Sequence, residues 1–428
     1  MGTDAHSEAV GRDDGGSARR RAAFRWNTAT GILFACQSVV MLMVLTRVCD
    51  VYTAGVFTIA FANANLFLHI GNFGVRKFHA SDRQGQFSFR VYRGTRILTC
   101  AAMLVAAGAY LAWSSTTLGY SADKTLAMLV MVLFKGVDAI EDVYTGAYQV
   151  AGRLDVGARM QAIRLFATMV AFAVFVVVCA DLVISLALST VFAAALLACQ
   201  VAYVRRRYDM PDRTAPLEWP RVGALLRACL PLFLANFLLF YIGSAPKYAI
   251  DAMMDDAAQA YYGYVSMPVF VVTMLAGFVY NPMITELTDL WQEGRRRAFA
   301  ERFLKIGAII VAMTVVCVVG AWLIGVPVLN VLYNTDVSGY LAELLILVAG
   351  GGFLAAATLS TLGLTIIRWQ YVLVPIYALG SVAAWAVSNA AVSTAGIMGA
   401  SWAYFGIMAG LAIVVTAVFA LGIGRGRT

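Results

Sequence analysis

The stretch Ile306–Pro327, IGAIIVAMTVVCVVGAWLIGVP, contains no charged side chain. About 20 such residues in a helix span the ~30 Å hydrocarbon core of a bilayer. The same pattern recurs from end to end of the 428-residue chain: long apolar runs, with the charges gathered in short patches between them. Overall 61% of residues are hydrophobic, 13% are charged, and the mean hydropathy is +0.77. A soluble domain carries nearer a quarter charged residues, so this chain lacks the polar groups to cover a water-facing surface. The composition predicts an all-α polytopic membrane protein.

Working outward from that run, the hydropathy predicts about twelve transmembrane helices. Six fall near 27–47, 52–74, 92–113, 124–149, 160–180 and 182–203, and six near 223–247, 257–282, 303–325, 340–363, 371–391 and 397–421. The basic residues test the number. With the N-terminus inside, all but four of the 32 Lys and Arg fall in or beside cytoplasmic segments. The exceptions are Arg47, Lys124 and Lys247, on the outside, and Lys135, within a span. One helix more or fewer would break this bias from that point onward. The expected address is the plasma or inner membrane, multi-pass, with both termini cytoplasmic.

Residues 1–25 are polar and read as a disordered cytoplasmic tail that stays on the chain, because the following apolar stretch is too long for a signal peptide. An N-terminal six-helix bundle is expected over 26–203 and a C-terminal one over 223–421. A linker at 204–222 joins them, with Arg205, Arg206, Arg207 and three prolines, and a short cytoplasmic tail follows at 422–428. Two six-helix halves suggest a duplicated transporter with its substrate site between the repeats.

Several chemistries find no signature. There is no G-x-x-x-x-G-K-[ST] phosphate loop, no H-E-x-x-H and no G-x-S-x-G elbow, and His6, His69 and His79 lack metal-site spacing. None of the seven cysteines forms a C-x-x-C pair. No cofactor, no metal, no nucleic-acid partner and no enzymatic activity are expected. The external loops are short, which disfavours a membrane glycan polymerase or ligase.

Ionic groups inside spans cost roughly 2.5–3.5 kcal/mol each on insertion scales unless a cavity or partner receives them. The fourth predicted helix holds Lys135, Asp138, Glu141 and Asp142. Lys135, Asp138 and Asp142 share one face that Gln149 extends, while Glu141 points further round. Two accounts fit: a hydrated cavity wall where Lys135 meets an anion, or a self-neutralising cluster. The second helix sets Asn65, His69 and Asn72 on one stripe with Arg76, either lining a cavity or bonding to other helices. Lys247 and Asp251 lie four residues apart, which also suits a simple ion pair. Pro268 and Pro282 mark expected kinks, Gly406 and Gly410 an expected close helix contact, and Arg295, Arg296 and Arg297 a patch attractive to anionic lipid.

Several segments carry a family resemblance. They are Ala54-Gly55-Val56-Phe57 through Asn65-Leu66, Gly71-Asn72-Phe73-Gly74-Val75-Arg76-Lys77-Phe78 to Ser81-Asp82, Tyr148-Gln149-x-x-Gly152-Arg153-Leu154-Asp155, Leu230-Pro231-Leu232-Phe233 with Ala245-Pro246-Lys247-Tyr248-Ala249-Ile250-Asp251, and Met267-Pro268. In this order they resemble the polysaccharide (O-antigen type) flippase family of the multidrug/oligosaccharidyl-lipid/polysaccharide exporter superfamily. The resemblance implies a V-shaped, two-bundle, alternating-access exporter. It also implies a lipid-linked glycan substrate, an isoprenoid-pyrophosphate-linked oligosaccharide destined for cell-surface polysaccharide. Matching positions are Asn72, Arg76, Gln149, Arg153, Lys247 and Asp251. Membrane lipids and glycan-assembly enzymes are the further partners it implies. Cation-coupled members of the superfamily often carry an acid in the first helix. This chain offers Asn27 and Gln37 there, so a coupling proton or sodium ion stays unassigned.

The expected translocation pathway comprises Lys135, Asp138, Asp142, Asn65, His69, Asn72, Arg76, Gln149, Lys247 and Asp251. The rival on the same fold is a drug or small-solute exporter. A cationic drug needs a net acidic, aromatic cavity, and a lipid pyrophosphate a net positive one. The sequence holds groups for both.

Overall fold

The computed structural model describes residues 4–82, 85–207 and 218–425. Residues 208–217 of the expected linker and 426–428 of the C-terminal tail lie outside the described residues, as do 1–3 of the N-terminal tail. Every element is helical. In chain order they are α1 (Asp4–Val48), α2 (Val51–Asn72), α3 (Val75–Ser81), α4 (Phe89–Thr117), α5 (Ala122–Val150), α6 (Leu154–Cys179), α7 (Leu182–Arg207) and α8 (Trp219–Met253). Then come α9 (Asp256–Ser266), α10 (Val269–Tyr280), α11 (Ile284–Gln292), α12 (Arg296–Gly320), α13 (Val326–Tyr333), α14 (Leu341–Ile366) and α15 (Leu373–Arg425). Only a backbone bonded within itself can cross hydrocarbon without water, and helices meet that demand.

Ten stretches of the described residues are long and apolar enough to cross a membrane. The ion-bearing α5 is a further helix of 29 residues, and α15 is two helices joined across non-helical Ala395 and Gly396. Together these account for the twelve expected crossings. The chain is a multi-pass membrane protein. Its α1 starts at Asp4, within the stretch expected as a tail.

Proline sets the breaks where it was expected to. α9 ends at Ser266, and Pro268 caps α10, while Pro282 sits in a 3-10 turn between α10 and α11. A third break lies at the end of the opening apolar run, where Ala321–Gly325 widens into a π-helical turn before Pro327. Proline has no N–H to give the preceding turn and its ring crowds the carbonyl there, so the helix loosens.

The chain forms two compact units, Met1–Met41 with Phe67–Phe233 and Leu42–Leu66 with Leu234–Thr428. The division therefore falls within α1, α2 and α8.

In the first unit α5 packs against α3, α4, α6 and α7. Its buried residues include Met128, Met131, Phe134 and Val143, all at most 2% exposed. Residues such as Val105 and Val178 point outward, more than 70% exposed, as lipid-facing side chains do.

The second unit is built around α14, which packs on α10, α12 and α15. Consecutive Gly350, Gly351 and Gly352 make this contact. A methyl at Gly350 would lie 2.8 Å from the Tyr404 ring, one at Gly351 3.1 Å from Val269 Cγ1, and one at Gly352 would overlap Thr314. Small residues let helices approach closely when lipid offers no hydrophobic drive to pack. The expected pair Gly406 and Gly410 does not do this: a methyl at either would meet nothing within 4 Å. Spacing alone cannot tell which face of a helix meets a neighbour.

Candidate functional site

The ionic side chains of α5 fall into two groups. Toward the middle of the helix, Lys135 Nζ donates to Gln37 Oε1 of α1 at 2.6 Å and to Asp138 Oδ2 at 3.2 Å. Arg164 of α6 reaches Asp138 Oδ1 at 2.6 Å and Glu141 Oε2 at 2.7 Å through Nη2, with Nε 2.9 Å from the same Glu141 oxygen. Two cations thus face two carboxylates, and none of the four is more than 5% exposed. Lys135 also lies 5.0 Å from the centroid of the Phe34 ring.

Of the two accounts of these charges, this arrangement has the form of the self-neutralising cluster. The Lys135 ammonium is enclosed and neutralised by Asp138, and Asp138 is itself shared with Arg164. Glu141, set apart from the stripe by its angle, joins Asp138 through the same guanidinium. In low dielectric such a set holds together, and removing one member leaves an uncompensated charge. Four buried polar atoms here have no protein partner: Gln37 Nε2, Glu141 Oε1, Arg164 Nη1 and, on the next turn of α6, Thr168 Oγ1.

Toward the Arg-rich end, Asp142 belongs to a different set. Arg96 of α4 holds it at 2.6 Å, and Arg76 of α3 approaches it at 3.4 Å. Arg96 is 1% exposed and also bonds Asn72 Oδ1 and the Gly71 carbonyl. Arg76 is 26% exposed, and its second contact, to Gln149 Oε1, is also 3.4 Å. Two arginines therefore share one carboxylate, and the outer one is loosely held.

The expected continuous stripe on the second helix is broken before Arg76. α2 ends at Asn72, and Phe73 and Gly74 take φ of 45° and 69° before α3 begins. Left-handed residues end a helix, and glycine takes this conformation without strain. A side chain at Gly74 would also crowd Leu232 Cβ, 2.9 Å away. Of the stripe, Asn72 joins Arg96, His69 is half-buried on α2, and Asn65 donates to its own Phe61 carbonyl at 2.8 Å. Asn65 belongs to the second compact unit and the other three to the first.

In the second unit, α8 carries Lys247 and Asp251, both half-buried. The helical spacing suits an ion pair, but none joins them, and Lys247 has no ion-pair partner among the described residues.

Arg164 is the residue that sequence reasoning missed. The predicted helix began at 160, which put Arg164 beside the cytoplasmic loop, whereas α6 starts at Leu154. Ten residues at 1.5 Å per residue carry Arg164 about 15 Å along the helix. The signal that could have found it is the demand of Asp138 and Glu141 for a second cation.

No protein-family model and no curated protein matches the chain. Solved structures do. An inward-facing multidrug resistance MATE family transporter of the MOP superfamily aligns at TM-score 0.64 and 15% identity, covering 94% of both chains. A MOP superfamily transporter from Pyrococcus furiosus Vc1, described for a binding pocket of reverse polarity that suggests a different function, aligns at TM-score 0.64 and 12% identity, over 96% of this chain and 97% of that one. MATE in a straight conformation aligns at TM-score 0.63 and 13% identity, over 96% and 97%. Across nearly its whole length, this chain has the fold of MATE-type MOP superfamily transporters.

Proposed function

We propose that the protein is a secondary transporter that flips an isoprenoid-pyrophosphate-linked oligosaccharide from the cytoplasmic to the outer leaflet of the cell membrane. One observation carries this choice of substrate: the three carboxylates in the interior of α5 are each already bound by a base. Asp138 is held by Lys135 and Arg164, Glu141 by Arg164, and Asp142 by Arg96 and Arg76. These acids offer no free charge to a cationic drug. Among the expected pathway residues, the cations with charge to give an anion are the loosely held Arg76 and Lys247, which has no ion-pair partner among the described residues. Asn72 and Gln149 accompany Arg76, and Asp251 follows Lys247 one turn on. Asn65 and His69 are polar groups of α2 that a hydrated passage could accommodate.

A pyrophosphate bearing about two negative charges cannot cross hydrocarbon without polar contacts. Its outward movement runs toward the positive side of the membrane, which assists by about 2.3 kcal/mol per charge per 100 mV. The fold tolerates pockets of either sign, as the description of the Pyrococcus furiosus neighbour suggests.

One observation favours a second reading, export of an organic cation. Glu343 is 7% exposed, its Oε2 has no hydrogen-bond partner, and it lies in electrostatic range of Tyr340. Tyr340 stacks on Tyr261, next to the stacked Tyr264 and Tyr333, so an acid stands beside aromatic faces. Deleting the gene in its host separates the two. The flippase requires a lipid-linked glycan to accumulate on the inner leaflet and the surface polysaccharide to fall. An unchanged glycan coat with new sensitivity to cationic drugs would transfer the assignment to the exporter.

A further inference from the structure

The first unit contains a cavity of about 310 Å³ at the Arg-rich end of α1, α6 and α7. Its volume is near the lower bound for small-ligand sites. Trp26, Asp155, Arg159, Gln200, Tyr203 and Arg207 form its polar lining, and Met160, Ile163 and Val204 its apolar part. None of these residues was singled out by the family resemblance except Asp155, and the proposed transport uses none of them.

The charges in this cavity are unbalanced. Both Asp155 oxygens are taken by Arg153, at 3.1 and 3.2 Å. Arg159 and Arg207 have no carboxylate partner among the described residues. Each instead lies over an aromatic ring, Arg159 5.8 Å from the Trp26 centroid and Arg207 4.9 Å from that of Tyr203. Gln200 donates Nε2 to the Met160 carbonyl at 3.2 Å, and its buried Oε1 has no partner. A carboxamide oxygen accepts hydrogen bonds, so the ligand should bring a hydroxyl or amine donor as well as an anion.

The other basic patch makes an instructive contrast. Arg297 is paired with Glu301 at 2.9 Å, Arg295 with Glu293 at 3.3 Å, and Arg296 stacks 3.4 Å from the Trp291 ring centroid. Two of those three arginines are thus matched by carboxylates, whereas neither Arg159 nor Arg207 has one among the described residues.

We infer that the α1–α6–α7 cavity binds the headgroup of an anionic phospholipid from the Arg-rich leaflet. The phosphate meets Arg159 and Arg207, and a headgroup hydroxyl or ammonium donates to Gln200 Oε1. The first acyl carbons lie along Met160, Ile163 and Val204. Basic pockets between transmembrane helices bind anionic headgroups in this way, and Trp and Tyr mark the depth at which headgroups sit. Free phosphate shares the anionic chemistry but has no use for the apolar wall.

The test is native mass spectrometry of the full chain released from detergent micelles, with phosphatidylglycerol and phosphatidylcholine offered together. The wild type should retain phosphatidylglycerol preferentially. Arg159→Gln combined with Arg207→Gln should weaken that retention about tenfold or more, at roughly 1 kcal/mol per cation. The Arg159→Lys/Arg207→Lys pair should keep most of it, and Arg297→Gln should leave it unchanged. Should the double glutamine variant not fold, the single Arg159→Gln variant reads the same site, with a loss of several-fold. Equal retention of both lipids, or undiminished retention by a folded glutamine variant, overturns the site. Displacement of phosphatidylglycerol by inorganic phosphate as readily as by added lipid overturns the assignment to a lipid.

Discussion

The interiors of the two compact units are held by opposite means. In the first, α5 buries Lys135, Asp138 and Glu141 against Arg164, with Asp142 and Arg96 beyond them. In the second, the central helix α14 contributes three consecutive glycines and packs by direct contact with Val269, Thr314 and Tyr404. An ion cluster fixes its partners by charge and direction, and its loss leaves a bare charge in low dielectric. A glycine contact fixes its partners by distance, and its loss is a clash. The contrast teaches that buried charge in this protein need not mark the transport route. The interior ions of α5 are held in pairs, and the proposed function draws its free charge from Arg76 and Lys247 instead.

The sharpest break in that comparison is Arg164→Leu. Asp138 would keep only Lys135, Glu141 would keep no cation, and the cost should be about 3–5 kcal/mol. Thermal unfolding of the purified protein in detergent checks this, and an unchanged midpoint would remove the cluster from the account of stability. Gly352→Val should come next, at about 1–3 kcal/mol, because the added methyls overlap Thr314 across α12 and α14. Gly406→Ala is its control. With open space around Gly406 and a helical backbone, alanine should stabilise by up to about 1 kcal/mol.

A smaller effect is expected at the start of α2, outside the spans. The Asp50 carboxylate accepts from the Thr53 amide and hydroxyl, which lowers its pKa below the usual carboxylate value. The folded-state pKa is depressed, so this contribution is present above the unfolded-state pKa and lost as pH falls through the folded one. Asp50→Ala should cost about 0.5–2 kcal/mol near neutral pH, and the gap to wild type should close on acidification. A gap that stays constant on acidification would show that the carboxylate charge is irrelevant there. The least effect on stability belongs to Lys247→Gln, which breaks no ion pair. Its folded yield should match the wild type while flipping falls, whereas loss of folded protein would give Lys247 a structural role.

Much of the architecture could be read from hydropathy and from the sidedness of Lys and Arg, because the bilayer imposes both on the sequence. Runs such as Ile306–Pro327 have no other economical explanation. The α5 cluster was half legible. Its acids and Lys135 stand out as costly, but their partners Gln37 and Arg164 are 98 and 23–26 residues away. A helical wheel drawn for one helix cannot contain them. The Asn72–Arg76 stripe failed for a local reason, since two left-handed residues turn the chain between its members. Gly350–Gly352 was overlooked in favour of Gly406 and Gly410 because spacing records periodicity and not the bulk of what lies opposite, here Thr314 and Tyr404. The cavity at Arg159 and Arg207 draws on three helices, none of which shows an unusual face by itself.

The most direct measurement is translocation in sealed vesicles reconstituted with the purified chain, following a fluorescent isoprenoid-pyrophosphate glycan under an imposed potential. Movement of the glycan lipid toward the positive side should be faster than with no potential, and Lys247→Gln should slow it. A chain that carries an organic cation across the same vesicles while leaving the glycan lipid where it began would contradict the account.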